Sequence, residues 1–338
     1  MKKIIFLSST RADFGKIKSL IEIVIKKQSF EIHIFVTGMH MNSRYGSTVD
    51  EIKKCGYKNI FQFYNHLESD SMDIVLSRTI EGFSNYVKDI KPDLIIIHGD
   101  RVEALAGAIV GSLNNILTCH IEGGEVSGTV DELIRHAVSK LSHLHFVSNK
   151  DAKKRLIQMG EDDRSIFRIG SPDVDIMLSS TLPTLSFVKK YYEINFDEYA
   201  IAIFHPVVTE LDKINKQIKY FVNALIESKE KYILIYPNND EGAELIFSEY
   251  NRIKNNDRFR YLPSVRFEYF VVLLKNAKFV IGNSSVGVRE SSYYGIPSVN
   301  IGTRQHKRTN NSDIINCGYL KTDILISINK ALNRKSNK

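Results

Sequence analysis

Short runs of apolar, often β-branched residues recur along the chain, each closed by small or polar residues and followed by a stretch whose apolar positions have helical spacing. The runs occupy residues 3–8, 31–36, 93–97, 117–121, 144–147 and 166–169, then, after a looser stretch at 179–199, residues 200–204, 232–236, 259–262, 278–281 and 298–301. They are apolar at nearly every position instead of every second one, as strands of a parallel sheet are when helices cover both faces. The pattern predicts an α/β fold of two Rossmann-like doubly wound domains, with the boundary between Pro172 and Asp197. It assigns residues 1–178 to the first domain, 196–322 to the second, and 323–338 to a closing helix, helical in period over 324–332, with a basic tail.

A chain of 338 residues is long enough for two such cores. Hydrophobic residues at 43% and charged residues at 25% match ordinary globular composition and exclude disordered, collagen-like and coiled-coil classes. No apolar run approaches the ~20 residues of a membrane span. The N-terminal MKKIIFLSST has a basic start, but its apolar stretch ends at Leu7, short of the roughly 7-residue minimum of a signal-peptide core, and reads as a strand. Cys55, Cys119 and Cys317 show no CxxC spacing and cannot all pair, which suits a reducing, cytoplasmic setting. Without a secretory signal, the sequons at Asn283 and Asn310 carry no meaning. The excess of 46 Lys and Arg over 39 Asp and Glu, +7, is spread along the chain; a polyanionic small ligand accounts for it as well as nucleic acid does.

Open parallel sheets bind ligands beyond the carboxyl ends of their strands, and there the sequence is rich in reactive side chains. The first domain offers Thr10-Arg11-Ala12-Asp13, Thr37-Gly38-Met39-His40, His98-Gly99-Asp100-Arg101 and His120-Ile121-Glu122-Gly123-Gly124. The second offers His205-Pro206, Pro237-Asn238-Asn239-Asp240, Gly282-Asn283-Ser284-Ser285 and Gly302-Thr303-Arg304. If both sheets present these edges to one cleft, a ligand there meets carboxylates from one side and phosphate-type donors from the other. The first loop lacks GxGxxG and no GxxxxGK[ST] occurs, which argues against dinucleotide dehydrogenases and P-loop NTPases.

The segment from Gly282 to Gly287 lies between a strand and a helix expected to begin near Gly287, where amides and the Ser284 and Ser285 hydroxyls would gather on a phosphate. Glu290, one turn on, would accept a ribose diol. The alternative is an ordinary Ser-rich helix cap with Glu290 complementing the helix dipole. Arg11 would grip a phosphate with paired hydrogen bonds, or else pair with Asp13. Asp100 and Glu122 each follow a buried strand, with Asp131 and Glu132 close behind; carboxylates gathered in a partly dry site raise one another's proton affinity and supply an acid or base near neutrality. Each alone is as consistent with a helix cap, and the Gly123-Gly124 pair beside Glu122 favours close approach of a ligand to the backbone. The ten histidines show no HExxH or similar ligand spacing, so no metal is expected. His98, His120 and His205 stand where a sugar or phosphate would, whereas His143 and His145 read as structural. No cysteine or GxSxG serine sits in a nucleophile context.

Taken in order, and extended through Glu125 to Ile134-Arg135-His136 and through Arg304-Gln305, these motifs resemble the hydrolysing UDP-N-acetylglucosamine 2-epimerases over residues 3–308. The resemblance is strongest to the bacterial enzymes that begin sialic and legionaminic acid synthesis. Single motifs are weak, but their ordered combination is specific. The resemblance implies a glycosyltransferase-B-like pair of Rossmann-like domains with the active site in the interdomain cleft, and a homodimer or homotetramer. It implies a UDP-sugar as the small-molecule partner, no nucleic-acid or membrane partner, and no cofactor. Carried over residue by residue, it implies Asp100, Glu122 and Asp131 as the acid/base set, with Glu132 one residue from the third. It puts His205 near the diphosphate, has Arg11, Ser284, Ser285 and Glu290 contact the nucleotide, and leaves Arg101, Arg304 and Arg308 in support. The sugar expected is UDP-N-acetylglucosamine, with its 2,4-diacetamido-2,4,6-trideoxy analogue as the alternative; Met39, His40, Met41 and Tyr45, in the loop after the second strand, suit either. An acceptor-dependent glycosyltransferase of the same architecture and a non-catalytic nucleotide-sugar sensor are the readings from other classes.

Overall fold

The structure is a computed structural model, and it describes the chain apart from residues 47, 68–69, 128–129, 239, 306–313 and 335–338 and the side chain of residue 45. The chain divides into two compact units, the first made of Met1–Val126 with Asp131–Ser180 and the second built on Thr181–Lys338. Each is an α/β unit around one wholly parallel sheet. The first contains β1 (Lys2–Ser8), β2 (Phe30–Val36), β3 (Asn59–Gln62), β4 (Leu94–His98), β5 (Leu117–Ile121), β6 (Leu144–Val147) and β7 (Ile166–Arg168), in the order β3-β2-β1-β4-β5-β6-β7. The central strands are buried on both faces: Ile4 to Leu7 and Ile95 to Ile97 expose almost nothing, which is why they read as unbroken apolar runs. The chain walks outward from β1 to β3 and returns at β4 on the other side of β1. The loops leaving β1 and β4 therefore part from each other at the carboxyl edge, the place where such sheets hold ligands.

The second unit repeats the plan with β8 (Ala200–Ile203), β9 (Tyr232–Ile235), β10 (Phe259–Leu262), β11 (Val280–Gly282), β12 (Ser298–Ile301) and β13 (Ile314–Cys317), ordered β10-β9-β8-β11-β12-β13. Its reversal falls between β8 and β11, so the loops after Ile203 and Gly282 part there. The closing helix Lys321–Asn333 packs Ile324, Ile328 and Ala331 into this core. Among the described residues no helix is long and apolar enough to cross a membrane.

Four elements depart from the periodicity reading. Edge strands β3 and β13 escape it because polar residues cut their apolar runs short, Asn59 and Gln62 around two apolar residues in β3 and Asn316 within β13; β3 is held by β2 and by Phe61, whose ring lies 4.5 Å from Tyr86 and 5.5 Å from Phe35. The looser stretch contains a short helix, Leu185–Tyr191, capped by Thr184 Oγ1 accepting the Phe187 N–H at 3.3 Å. The helix expected from Gly287 is instead a 3-10 turn, Ser285–Gly287, followed by one helical turn, Glu290–Tyr293.

Candidate functional site

In the first unit the loop after β1 is wound around Asp13. Its carboxylate accepts the Ser9 and Thr10 N–H groups and the Ser9 hydroxyl, each at 2.9 Å, and the Ser8 hydroxyl, while Thr10 Oγ1 caps the helix Arg11–Lys26 by accepting the Asp13 N–H at 3.1 Å. Arg11 does not pair with Asp13. Its Nη2 binds Glu51, and its buried Nε and Nη1 have no partner among the described residues. A guanidinium fixed at one corner with two donors unsatisfied is suited to an anion.

His40 does not face a sugar, because both ring nitrogens are used inside the protein: Nε2 lies 2.9 Å from Ser8 Oγ and Nδ1 2.5 Å from Thr48 Oγ1. It clamps the loop after β2 to the loop after β1, and burial pushes its pKa down to about 4. Met39 and Met41 flank it half-buried; the Tyr45 side chain lies outside the described ones.

Glu122, first residue after β5, has φ +64°, a left-handed backbone that costs a non-glycine residue about 1–2 kcal/mol. Its N–H is held by Phe146 O at 2.8 Å. The carboxylate, 5% exposed, accepts the Ser171 hydroxyl at 2.6 Å, lies 3.3 Å from Lys16 Nζ at both oxygens and has His98 Nε2 at 3.4 Å. The paired glycines beside it serve packing, not a ligand. A Cβ on Gly123 would sit 2.7 Å from Ser139 Oγ, and one on Gly124, at φ +77°, 2.4 Å from the Ala152 carbonyl oxygen.

Asp100, after β4, is bound by Arg135 Nη2; Arg135 itself is buried and donates through Nη1 to the Glu125 carbonyl at 3.1 Å. The turn is fixed from below by His120, whose Nε2 meets the Gly99 carbonyl at 2.8 Å and Nδ1 meets Ser139 Oγ at 3.0 Å. His120 is thus a support for Asp100 and not a ligand contact, and burial drives its pKa down to about 3. Asp131 opens the helix Val130–Lys140 one turn before Arg135, on the same face as the residue that grips Asp100, whereas Glu132 faces His136, 3.8 Å away. Arg101 Nε turns inward to Glu103, at 3.2 Å. His143 and His145 are structural as expected, bonded to the Thr118 N–H and to Glu161.

Because His40 and His120 are neutral when folded, unfolding lets each take up a proton below its ordinary value of 6.5. Stability should therefore fall as pH drops from 6.5 toward 4, by about 1.4 kcal/mol per histidine per pH unit. Urea unfolding at pH 7 and pH 5 measures this, and an unchanged midpoint would contradict neutral burial.

In the second unit Asn283, fully buried, joins the two parting loops: Oδ1 accepts the His205 N–H at 2.7 Å and Nδ2 donates to the His205 carbonyl at 2.8 Å. His205 Nδ1 accepts the Asn238 N–H at 3.0 Å, which puts the ring proton on Nε2 and makes that nitrogen a donor. Ser284 Oγ accepts the Val286 N–H at 3.4 Å, and Ser284 and Ser285 are both half-buried. With so little helix behind them, an anion here would be held by hydroxyls and loop amides and not by a helix dipole. Glu290 is 4% exposed, and its Oε2 has no partner among the described residues, an unsatisfied acceptor of the kind a diol would fill. Gln305 Nε2 donates to the Asn283 carbonyl at 3.0 Å and anchors the loop of half-buried Arg304; Arg308 and Asn239 lie outside the described residues.

Sequence reasoning missed Lys16 and Ser171, which the fold brings to Glu122, and Asp173, which it brings to Lys16. A lysine between buried Phe14 and Ile17 in a helix was the available signal.

The model of the UDP-N-acetylglucosamine 2-epimerase family matches residues 23–338. The UDP-N-acetylglucosamine 2-epimerase of Neisseria meningitidis serogroup B is 48% identical over 98% of this chain and 88% of its own length. The UDP-N,N'-diacetylbacillosamine 2-epimerase (hydrolyzing) of Legionella pneumophila is 34% identical over 99% of this chain and 90% of its own. In fold, the crystal structure of Methanocaldococcus jannaschii UDP-GlcNAc 2-epimerase in complex with UDP-GlcNAc and UDP superposes with a TM-score of 0.84 at 21% identity, over 100% of this chain and 94% of that one.

Proposed function

The chain belongs to the UDP-N-acetylglucosamine 2-epimerase family, and we propose that it is of the hydrolysing kind, converting UDP-N-acetylglucosamine and water to N-acetylmannosamine and UDP. The observation that carries the reading is Glu122, a buried carboxylate held by a left-handed backbone at a strand end, with Lys16, His98 and Ser171 around it. This is the setting of a group that takes and returns a proton. The hydrolysing name of the Legionella relative supports the same choice.

In the proposed reaction one carboxylate of the Asp100, Glu122 and Asp131 set removes the C2 proton. The C2–H electrons become the C1=C2 bond of a 2-acetamidoglycal, and the C1–O bond to UDP breaks. Water then adds at C1, and a second carboxyl group returns a proton to C2 on the opposite face. Arg11, Ser284, Ser285 and the His205 Nε2–H stabilise the departing diphosphate, and Glu290 accepts the ribose hydroxyls. The free N-acetylmannosamine places the enzyme at the start of sialic-acid-type nonulosonate synthesis.

Proton NMR of the protein with UDP-N-acetylglucosamine and no other additive tests this. UDP and N-acetylmannosamine should appear together, and in heavy water the product should carry deuterium at C2. UDP-N-acetylmannosamine as the final product would overturn the hydrolysing assignment, and a need for an acceptor would favour a glycosyltransferase. Replacing Ser284 and Ser285 together by Ala should weaken UDP binding by roughly 1–3 kcal/mol, the range for hydrogen bonds to a charged group; unchanged affinity by calorimetry would return both serines to a capping role. Side-by-side kcat/KM values should favour UDP-N-acetylglucosamine over the diacetamido analogue, and a preference of more than about tenfold for the latter would reverse the substrate choice.

A further inference from the structure

A fourth carboxylate stands at the proton-transfer group. Asp173, 2% exposed in the first turn of the helix Pro172–Met177, has Oδ2 3.5 Å from Lys16 Nζ, the same ammonium that lies 3.3 Å from Glu122. One buried lysine therefore serves two buried carboxylates. The groups placed at Glu122 by the elements packed on it are Lys16 from the helix Arg11–Lys26, His98 from the end of β4, and Ser171 just before Pro172–Met177, while Asp173 in that helix meets the same Lys16. An ion pair of Lys16 with Glu122 alone would stabilise the carboxylate and make it a poor base. Two carboxylates sharing one ammonium leave each less neutralised than a single pair would, and the first-turn amides of its own helix favour the ionised form of Asp173.

We propose that Asp173 is a positioning residue for the reaction: by taking a share of Lys16 it leaves Glu122 only partly neutralised and ready to accept a proton. This rests on reading Glu122 as an acid/base group of the epimerase. The signs are fixed by the geometry. Removing the Asp173 charge gives Lys16 wholly to Glu122, so protonation of Glu122 moves to lower pH; removing Lys16 moves it to higher pH.

The test compares wild type, Asp173→Asn and Lys16→Gln by two readouts. The first is the pH profile of kcat for UDP release from UDP-N-acetylglucosamine. The second needs no turnover: the 13C resonance of the Glu122 carboxyl in protein labelled at glutamate, assigned with Glu122→Gln and titrated with pH. The midpoint and the matching limb of the kcat profile should fall by roughly one pH unit in Asp173→Asn and rise in Lys16→Gln, with KM changed less than about threefold. If Asp173→Asn does not fold, Asp173→Ser replaces it. A midpoint unmoved by loss of Asp173, or moved the same way in both variants, overturns the proposal. A wild type that titrates as expected but releases no UDP would instead overturn the epimerase reading and leave the electrostatic arrangement standing.

Discussion

Glu122→Gln is expected to lower kcat on UDP-N-acetylglucosamine by at least ~10², because a positioned general acid or base contributes roughly 10²–10⁴-fold and an amide can neither take nor give the C2 proton. The substitution is nearly isosteric. A glutamine at this position can still accept the Ser171 hydroxyl that now lies 2.6 Å away, and the left-handed turn is held by the backbone bond to Phe146, which the change leaves intact. UDP affinity, set in this reading by Arg11 and the second unit, should be unchanged, so the loss should fall on kcat and not on nucleotide binding. Asp100→Asn should be comparably slow, with an added stability cost, since Arg135 is buried and would lose the carboxylate it binds. Steady-state kinetics paired with UDP calorimetry checks both variants. Near-normal turnover in both would remove the carboxylate mechanism.

The legible parts of this protein were those whose signal is local. Strands such as 4–7 and 95–97 are buried on both faces, so each position had to be apolar and the run announced itself, whereas β3 has only Ile60 and Phe61 between Asn59 and Gln62, and Asn316 interrupts β13. The strand-end rule nominated Asp100, Glu122, His205 and Ser284 for the same reason, since the residues after a run are fixed by the run. It could not separate histidines that face outward from histidines that brace the loop. His40 and His120 carry the same sequence signature as His205, yet both spend their ring nitrogens on the protein, which only the packing of other segments reveals. Arg11 shows the same limit: Asp13 was the nearest acid in sequence, but the capping box consumes it, and Glu51 from another helix takes the guanidinium. Lys16 reaches Glu122 from 106 positions away, and Asp173 meets that lysine from a different helix; no periodicity reports on such distances.

Gly282→Ala is expected to be the most destructive single-methyl change at the second unit's carboxyl edge. Gly282 ends β11 at φ +137°, outside the range an L side chain adopts, and a Cβ there would lie 1.8 Å from the Ile203 carbonyl oxygen of β8. No real Cβ approaches backbone so closely, and the carbonyl has no freedom to withdraw, because it also accepts the Asn283 N–H at 3.1 Å. Relief requires β8 and β11 to part where the chain reverses, and that separation breaks the Asn283 bonds to His205 that fix the ring. The cost should therefore exceed about 4 kcal/mol, beyond the ordinary range for one substitution, and lower Tm by roughly 10 °C at ~2–4 °C per kcal/mol. Gly160→Ala isolates the conformational part: Gly160 has φ +89° but nothing within 4 Å of a Cβ, so strain alone should cost only about 1–2 kcal/mol. Thermal unfolding of the two variants, with UDP calorimetry on whatever Gly282→Ala protein remains folded, separates the two terms. UDP affinity should drop at least about tenfold, since the serine loop and His205 are carried by the two strands that must move apart. If Gly282→Ala were no worse than Gly160→Ala and bound UDP normally, the close approach of β11 to β8 could not be what aligns the loops proposed to hold the nucleotide.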